Sequence, residues 1–334
     1  MSLKKSILGF AAILLAGLLL TGCGKKQPIR QSGFYFDTVI TITLYDSSKT
    51  KELDHCFELA NKYEQYFSAK ISDSDISRIN AAAGSPVRVH DETAELLEKG
   101  LSYGILSGGK FDITVGKLTN LWDFHAETPH LPDARAVADA VDTIDYQNVV
   151  IDGNEVTLTN PDAALDTGGI AKGYIADKMK EYLLSQGITK GLINLGGNVL
   201  TIGEKDDGSA YAIGIQKPFD QTGAPVATVS IRDQSVVTSG VYERCFEQDG
   251  VRYHHILDTS SGYPYENGLL GVTIICDSSA DGDGLSTTCF ALGLEKGMEL
   301  AESLERTEAI FITADQKLHM TSGIGTTIPI KQAE

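Results

Sequence analysis

Eight residues, Asp166-Thr167-Gly168-Gly169-Ile170-Ala171-Lys172-Gly173, restrict this chain more than any other stretch. Val156 to Thr159 before them alternate as a β-strand does, and Tyr174 to Leu184 after them have the spacing of an amphipathic helix. A strand, a glycine-dense turn and a helix in that order let backbone N–H groups approach a phosphate. The spacing matches neither common phosphate fingerprint. Walker A requires Gly-Lys followed by Ser or Thr, whereas Lys172 precedes Gly173. The dinucleotide pattern needs glycines at the first, third and sixth places, which Gly168, Gly169 and Gly173 do not occupy. The turn therefore points either to a phosphate-bearing ligand held in another kind of fold, or to glycines that only shape a tight turn.

The start of the chain sets the compartment. Lys4 and Lys5 precede a 14-residue apolar run from Ile7 to Leu20. As a helix that run reaches about 21 Å, short of the roughly 30 Å of a bilayer core, so it reads as a signal peptide. Its end, Leu20-Thr21-Gly22-Cys23, is similar to the lipobox of bacterial lipoproteins. We expect a signal peptide over 1–22, a lipid anchor at Cys23, a polar tether over 23–33 and one domain over 34–330. The protein would then be lipid-anchored to the cell membrane on its extracytoplasmic (periplasmic or outer) face. A formal net charge of −17 argues against the basic face of a phosphate-backbone binder, so no nucleic-acid partner is expected. Cys56, Cys245, Cys276 and Cys289 show no Cys-x-x-Cys spacing, which argues against a zinc or iron–sulfur site.

Periodicity places the remaining elements. Phe34 to Tyr45 reads as a first strand, and Leu53, Cys56, Phe57, Ala60, Tyr63 and Phe67 predict an amphipathic helix over about 50–67. A second helix runs from Asp91, as N-cap, to Ser107 with Ala94, Leu97, Leu101 and Ile105 inward, and a third from Asp133 to Val141. Asp152-Gly153-Asn154 signals a hairpin. Strands follow at 192–195, 211–215, 227–231, 235–240 and 270–276, a strand-like segment at 252–258, helices at about 284–291 and 294–303, and a closing strand at 309–313. Strands alternate with helices and hairpins, so the class is α/β or α+β with a mixed sheet.

Three places can carry chemistry. Asp283 and Thr287 stand four residues apart, on one face of a starting helix with Ser286 beside them. A carboxylate and hydroxyls are hard oxygen ligands suited to Mg²⁺, which takes its other ligands from phosphate and water; Asp283 could equally be only the helix cap. His255 is the best general-base candidate among seven histidines, although a structural role fits it too. Asp112 follows Phe111 in a turn, where it makes an Asx turn or meets a polar ring edge of a ligand.

In order along the chain these segments resemble the ApbE-type FAD:protein FMN transferases. The matching stretches are Phe36-Asp37-Thr38, Asp75 to Asn80, and Phe111 to Gly116 with Leu121-Trp122. Next come Asp166 to Tyr174, Asn194 to Asn198, Thr238-Ser239-Gly240, His255 to Asp258 with Gly262, and Asp283 with Leu285-Ser286-Thr287. The resemblance implies an architecture related to the tunnelling fold, FAD bound in a cleft as a substrate, and Mg²⁺ at its pyrophosphate. Asp283, Thr287 and the Gly169 carbonyl would hold the metal, with Ser286 at the place of a further ligand. Phe36, Lys70, Lys110, Phe111, Asp112, Asp166, Lys172 and Ile256 would line the FAD site, and His255 matches the catalytic histidine. The implied reaction transfers FMN from FAD to a threonine hydroxyl of an exported or membrane-bound flavoprotein subunit, with AMP leaving. Thr259-Ser260-Ser261 departs from the commoner Pro-Arg-Thr and removes a cation near the phosphates.

Overall fold

Two long stripes of apolar side chains account for the helical layer. In the computed structural model, which describes residues 27–124, 126–220 and 222–333, the helix Thr50–Phe67 buries the six residues its periodicity marks. The helix Asp91–Ser107 buries Ala94, Leu96 and Leu97, but Ile105 points outward and is 68% exposed. Its N-cap is His90, and Asp91 is the first helical residue, where a carboxylate suits the positive end of the helix. The expected signal peptide and the expected lipid anchor at Cys23 lie outside the described residues.

One eight-stranded sheet organises the rest. From edge to edge it runs Ile29–Tyr35, Thr38–Leu44, Gly191–Leu195, Asn198–Ile202, Ser235–Gly240, Leu269–Cys276, Glu308–Thr313 and Leu318–Met320. Every ladder in it is antiparallel, so what is mixed is α with β layers rather than strand direction. The expected single strand over 34–45 is instead a hairpin whose two-residue turn, Phe36-Asp37, has positive φ at both positions. That turn is usually Asn-Gly or Asp-Gly, which is why the pattern hid it. The first strand begins at Ile29, so the sheet starts within the stretch expected to be a tether. The strand at 309–313 is not the edge, because Leu318–Met320 pairs beyond it.

Each face of this sheet has its own core. The helices Thr50–Phe67, Asp91–Ser107, Ala171–Ser185 and Ser279–Leu292 cover one face, around Ile40, Ile42, Ile193, Val272 and Ile274. A three-stranded sheet (Tyr211–Gln216, Pro225–Ile231, Ile330–Gln332) covers the other, around Val199, Val236, Ile275 and Ile310. A smaller cluster around Trp122 joins the helices Gly116–Trp122 and Ala134–Val141 to the hairpin Cys245–Gln248/Val251–His254 through Phe246 and Tyr253. That hairpin turns at Asp249-Gly250.

Candidate functional site

The site forms where the helix Ala171–Ser185 crosses the helix Ser279–Leu292. The crossing is close because position 173 is glycine: a Cβ there would lie 2.1 Å from the Ser279 carbonyl oxygen. The second helix starts earlier than its sequence suggests. Ser278 is the N-cap, accepting from the Asp281 N–H, and Asp177 from the crossing helix accepts the N–H groups of Ser279 (2.8 Å) and Ala280 (3.0 Å). Asp283 therefore does not cap the helix. It sits one turn in, 4% exposed, where burial raises its pKa while Lys172 and its hydrogen bonds act in the other direction.

Three groups from two elements converge on that carboxylate. The Gly173 N–H donates to Oδ2 at 2.6 Å, the Asn198 amide donates to Oδ1 at 3.1 Å, and Lys172 Nζ lies 3.9 Å from Oδ1. Asn198 is itself held by Ser279, whose hydroxyl donates to Asn198 Oδ1 at 2.5 Å. On the same helix, Ser286 is buried and its hydroxyl donates to the Asp283 carbonyl at 3.0 Å. Ser239, at the end of the central strand, lies 2.8 Å from the Ser286 hydroxyl and 3.1 Å from that of Thr287. With Ser239 donating to Ser286 and Thr287 donating to Ser239, the lone pairs of Thr287 are left to face a cation. Ser286 is the more fully engaged of the two.

The glycine turn is tied down on both sides. Asp166 Oδ1 accepts from the Gly168 N–H at 2.8 Å, and its Oδ2 accepts from Thr119 Oγ1 at 2.7 Å. The N–H groups of Gly168 and Gly173 thus serve carboxylates of the chain itself, so the turn is not a cradle of N–H groups like a P-loop. Gly169 is exposed and rests on Phe111, whose ring would stand 3.0 Å from a Cβ at that place.

The charge of Lys172 acts on His255 as well as on Asp283. The segment of His255 is the hairpin partner of Arg244: Cys245 pairs with His254, and the His255 N–H donates to the Arg244 carbonyl at 3.1 Å. Directly opposed residues of an antiparallel ribbon share a face, so Arg244 and His255 stand side by side. His255 Nδ1 is 3.3 Å from the Arg244 carbonyl, and as a donor there it leaves Nε2 with the free lone pair. Desolvation, then the charge of Arg244, then His254 lower the His255 pKa to about 3, with Lys172 adding to the effect, so the ring is neutral. His254 faces the other way. It donates from Nε2 to the Tyr265 carbonyl (3.1 Å), accepts the Ile256 N–H at Nδ1 (3.3 Å), and is held neutral by burial.

Other expected ligand contacts are placed less directly. Asp112 is buried. Its Oδ1 accepts from the Thr114 N–H (2.8 Å) and hydroxyl (2.7 Å), and its Oδ2 accepts from the Tyr146 N–H (2.8 Å), which makes it the Asx-turn residue of its loop. Lys110 is exposed over the Tyr265 ring, 5.5 Å from its centre, and Ile256 is buried in the main core. Phe36 lies in the turn of the first hairpin, and Lys70 pairs with the next turn residue, Asp37, at 2.8 Å. That tip reaches the site through Thr38, which fills the space beside Gly196, just before Asn198. Arg244 was not signalled by any motif. The Asp249-Gly250 turn is the signal that could have placed it opposite His255.

The ApbE family model matches residues 36–311. A FAD:protein FMN transferase of Klebsiella pneumoniae is 40% identical over 269 residues, covering 80% of this chain and 83% of its own. One of Treponema pallidum is 34% identical and covers 95% of this chain and 93% of its own. Among solved structures, the ApbE protein of Thermotoga maritima superposes with a TM-score of 0.82 at 30% identity, over 89% of this chain and 97% of that one. Sequence, order of motifs and architecture agree, and the chain belongs to the ApbE family.

Proposed function

We propose that this protein is a FAD:protein FMN transferase that moves FMN from FAD to a threonine hydroxyl of a target electron-transfer protein, in a Mg²⁺-dependent reaction that releases AMP. The observation that carries the reading is the convergence on Asp283: a buried carboxylate beside Lys172 and hydroxyls, with a neutral histidine nearby. The donor set fits a hard cation. Among the described residues no three His, Cys, Asp or Glu side chains stand together as a metal site, so one carboxylate and the Thr287 hydroxyl lead the set. Mg²⁺ accepts such sparse protein ligation because phosphate and water complete its shell. Asp283, Thr287 and the Gly169 carbonyl would hold it, with Ser286 supporting the hydroxyl cluster. Bound there, it would neutralise charge on the pyrophosphate.

The chain's own groups do the rest. Lys172 would orient the phosphates. The threonine oxygen forms a bond to the FMN-side phosphorus while the bond to the bridging oxygen breaks, and that oxygen leaves with AMP. His255 would take the threonine proton at Nε2. Phosphate anions near the ring raise its pKa from the value set by Arg244 and Lys172, bringing the base into its working range as the substrate binds. Phe36, Lys70, Lys110, Phe111, Asp166 and Ile256 would line the flavin and adenine parts of the cleft, with Asp112 shaping the loop beneath. The lipobox at Cys23 supports an extracytoplasmic, lipid-anchored enzyme whose acceptor is an exported or membrane-bound flavoprotein subunit.

The test incubates the full chain with FAD, Mg²⁺ and such a subunit. In-gel flavin fluorescence on the acceptor, lost on chelation and restored by Mg²⁺, is the expected result. FMN and AMP without labelled protein would instead make the enzyme a pyrophosphatase. His255→Ala should slow labelling about 10²- to 10⁴-fold with FAD still bound; full activity would remove His255 as the base.

A further inference from the structure

We infer that the Arg244 side chain is a phosphate-binding group of this site, contacting the pyrophosphate of FAD beside His255; the inference rests on the transferase reading. The register puts it there. The ladder ends at the Cys245–His254 pair, one further bond from the His255 N–H to the Arg244 carbonyl at 3.1 Å keeps the next two residues opposed, and the charge of Arg244 acts on the His255 ring. His254 and Cys245 project from the other face.

Arg244 is half-buried, and its side chain has no ion-pair or hydrogen-bond partner among the described residues. Most other cations near functional elements are paired, as Lys70 is with Asp37 and Lys178 with Glu95. Glu243, next in sequence, feels the charge of both Arg244 and Lys172, yet forms no ion pair with either within 4 Å. The same two cations act on His255. A guanidinium held partly out of water without a counter-ion is costly unless an anion arrives to pair with it, and its planar fork matches phosphate oxygens.

The turn after His255 strengthens the assignment. Thr259-Ser260-Ser261 supplies no cation, and its first two hydroxyls are bonded into the protein: Thr259 donates to the Gly109 carbonyl (2.8 Å), and Ser260 to Asp258 (2.7 Å). Around His255 the positive charge available to a phosphate is therefore that of Lys172 and Arg244. The backbone of residue 244 orients the imidazole through its carbonyl, and substitution leaves that role in place. Only the side chain is being assigned a new one.

Binding of FAD, FMN and riboflavin to the full chain, with Mg²⁺ present, separates a phosphate contact from a packing role. In Arg244→Ala, affinity for FAD and FMN should fall at least tenfold while that for riboflavin, which has no phosphate, stays within about twofold. Arg244→Lys should recover most of the labelling rate, and the thermal midpoint of both variants should match the parent. Equal weakening for all three flavins would overturn the inference, as would FAD binding and labelling rates that do not change. If the parent binds FAD but labels no acceptor, the transferase reading fails, while the comparison of flavins still decides whether Arg244 holds phosphate.

Discussion

Asp112 and Asp283 are both buried carboxylates, and burial raises the pKa of each. Their surroundings separate them. Asp112 accepts three hydrogen bonds from neutral groups of its own loop and the adjoining turn, at 2.7–2.8 Å, and among the described residues no cation pairs with it. Asp283 gathers one N–H from a crossing helix, one amide from the sheet and a lysine at 3.9 Å, next to three hydroxyls that bond one another. The first arrangement closes a loop. The second holds charge in place for something that is not part of the chain. Desolvation alone does not tell a functional carboxylate from a structural one; the origin of its partners does.

Substitution can break that contrast. Asp283→Asn keeps the shape and removes the charge, so labelling of the acceptor should fall about a thousandfold, equivalent to roughly 4 kcal/mol of transition-state stabilisation. Its amide would face the Gly173 N–H or the Asn198 amide, costing about 2 kcal/mol of stability, partly offset by the loss of a buried charge. If Mg²⁺ dependence and rate are unchanged in this variant, Asp283 is not the metal carboxylate. Gly173→Ala attacks the same carboxylate from the scaffold side. A methyl 2.1 Å from the Ser279 oxygen must push the two helices apart, which should cost about 3 kcal/mol in denaturant unfolding and lower activity with it. An alanine variant with parental stability would show that the crossing can relax. Asp112→Asn should spare the turnover that Asp283→Asn removes. Its amide would face the N–H groups of Thr114 or Tyr146, costing about 2 kcal/mol of stability, while activity of the folded fraction stays within tenfold. Lost turnover at an unchanged melting temperature would instead place Asp112 against the ligand.

Much of the scaffold was readable because packing and periodicity agree there. The helix Thr50–Phe67 shows this, since every inward residue falls on one stripe. Reading failed where close packing replaced the pattern. Ser279 to Gly284 has the composition of a loop, yet it is helix. Gly282 is small because a Cβ would lie 2.5 Å from Val237, and Gly284 because one would lie 2.3 Å from Tyr103. Those contacts come from elements far away in sequence, so Asp283 looked like a cap when it is one turn inside. Asp112 was legible as an Asx residue, but the Tyr146 N–H that completes it comes from a distant turn. Which backbone groups of the opening turn are engaged was hidden for a similar reason: the N–H groups of Gly168 and Gly173 are used by Asp166 and Asp283.

The smallest effect repeats the contrast between two neighbours, His254 and His255. His254 is fully used by the fold, with Nε2 on the Tyr265 carbonyl and Nδ1 on the Ile256 N–H, and burial holds its pKa at about 4. An unfolded histidine titrates near 6.5. Because the folded value is the lower one, the unfolded chain takes up the proton first as the pH falls. The stability His254 supports is therefore complete above about pH 6.5 and erodes as the pH drops toward 4. At pH 5 the loss should be about 2 kcal/mol, set by the gap between the two values. His254→Gln cannot titrate, so its unfolding free energy should change less between pH 7 and pH 5 than that of the parent. A parallel pH dependence in the two proteins would mean that His254 is not held neutral by the fold.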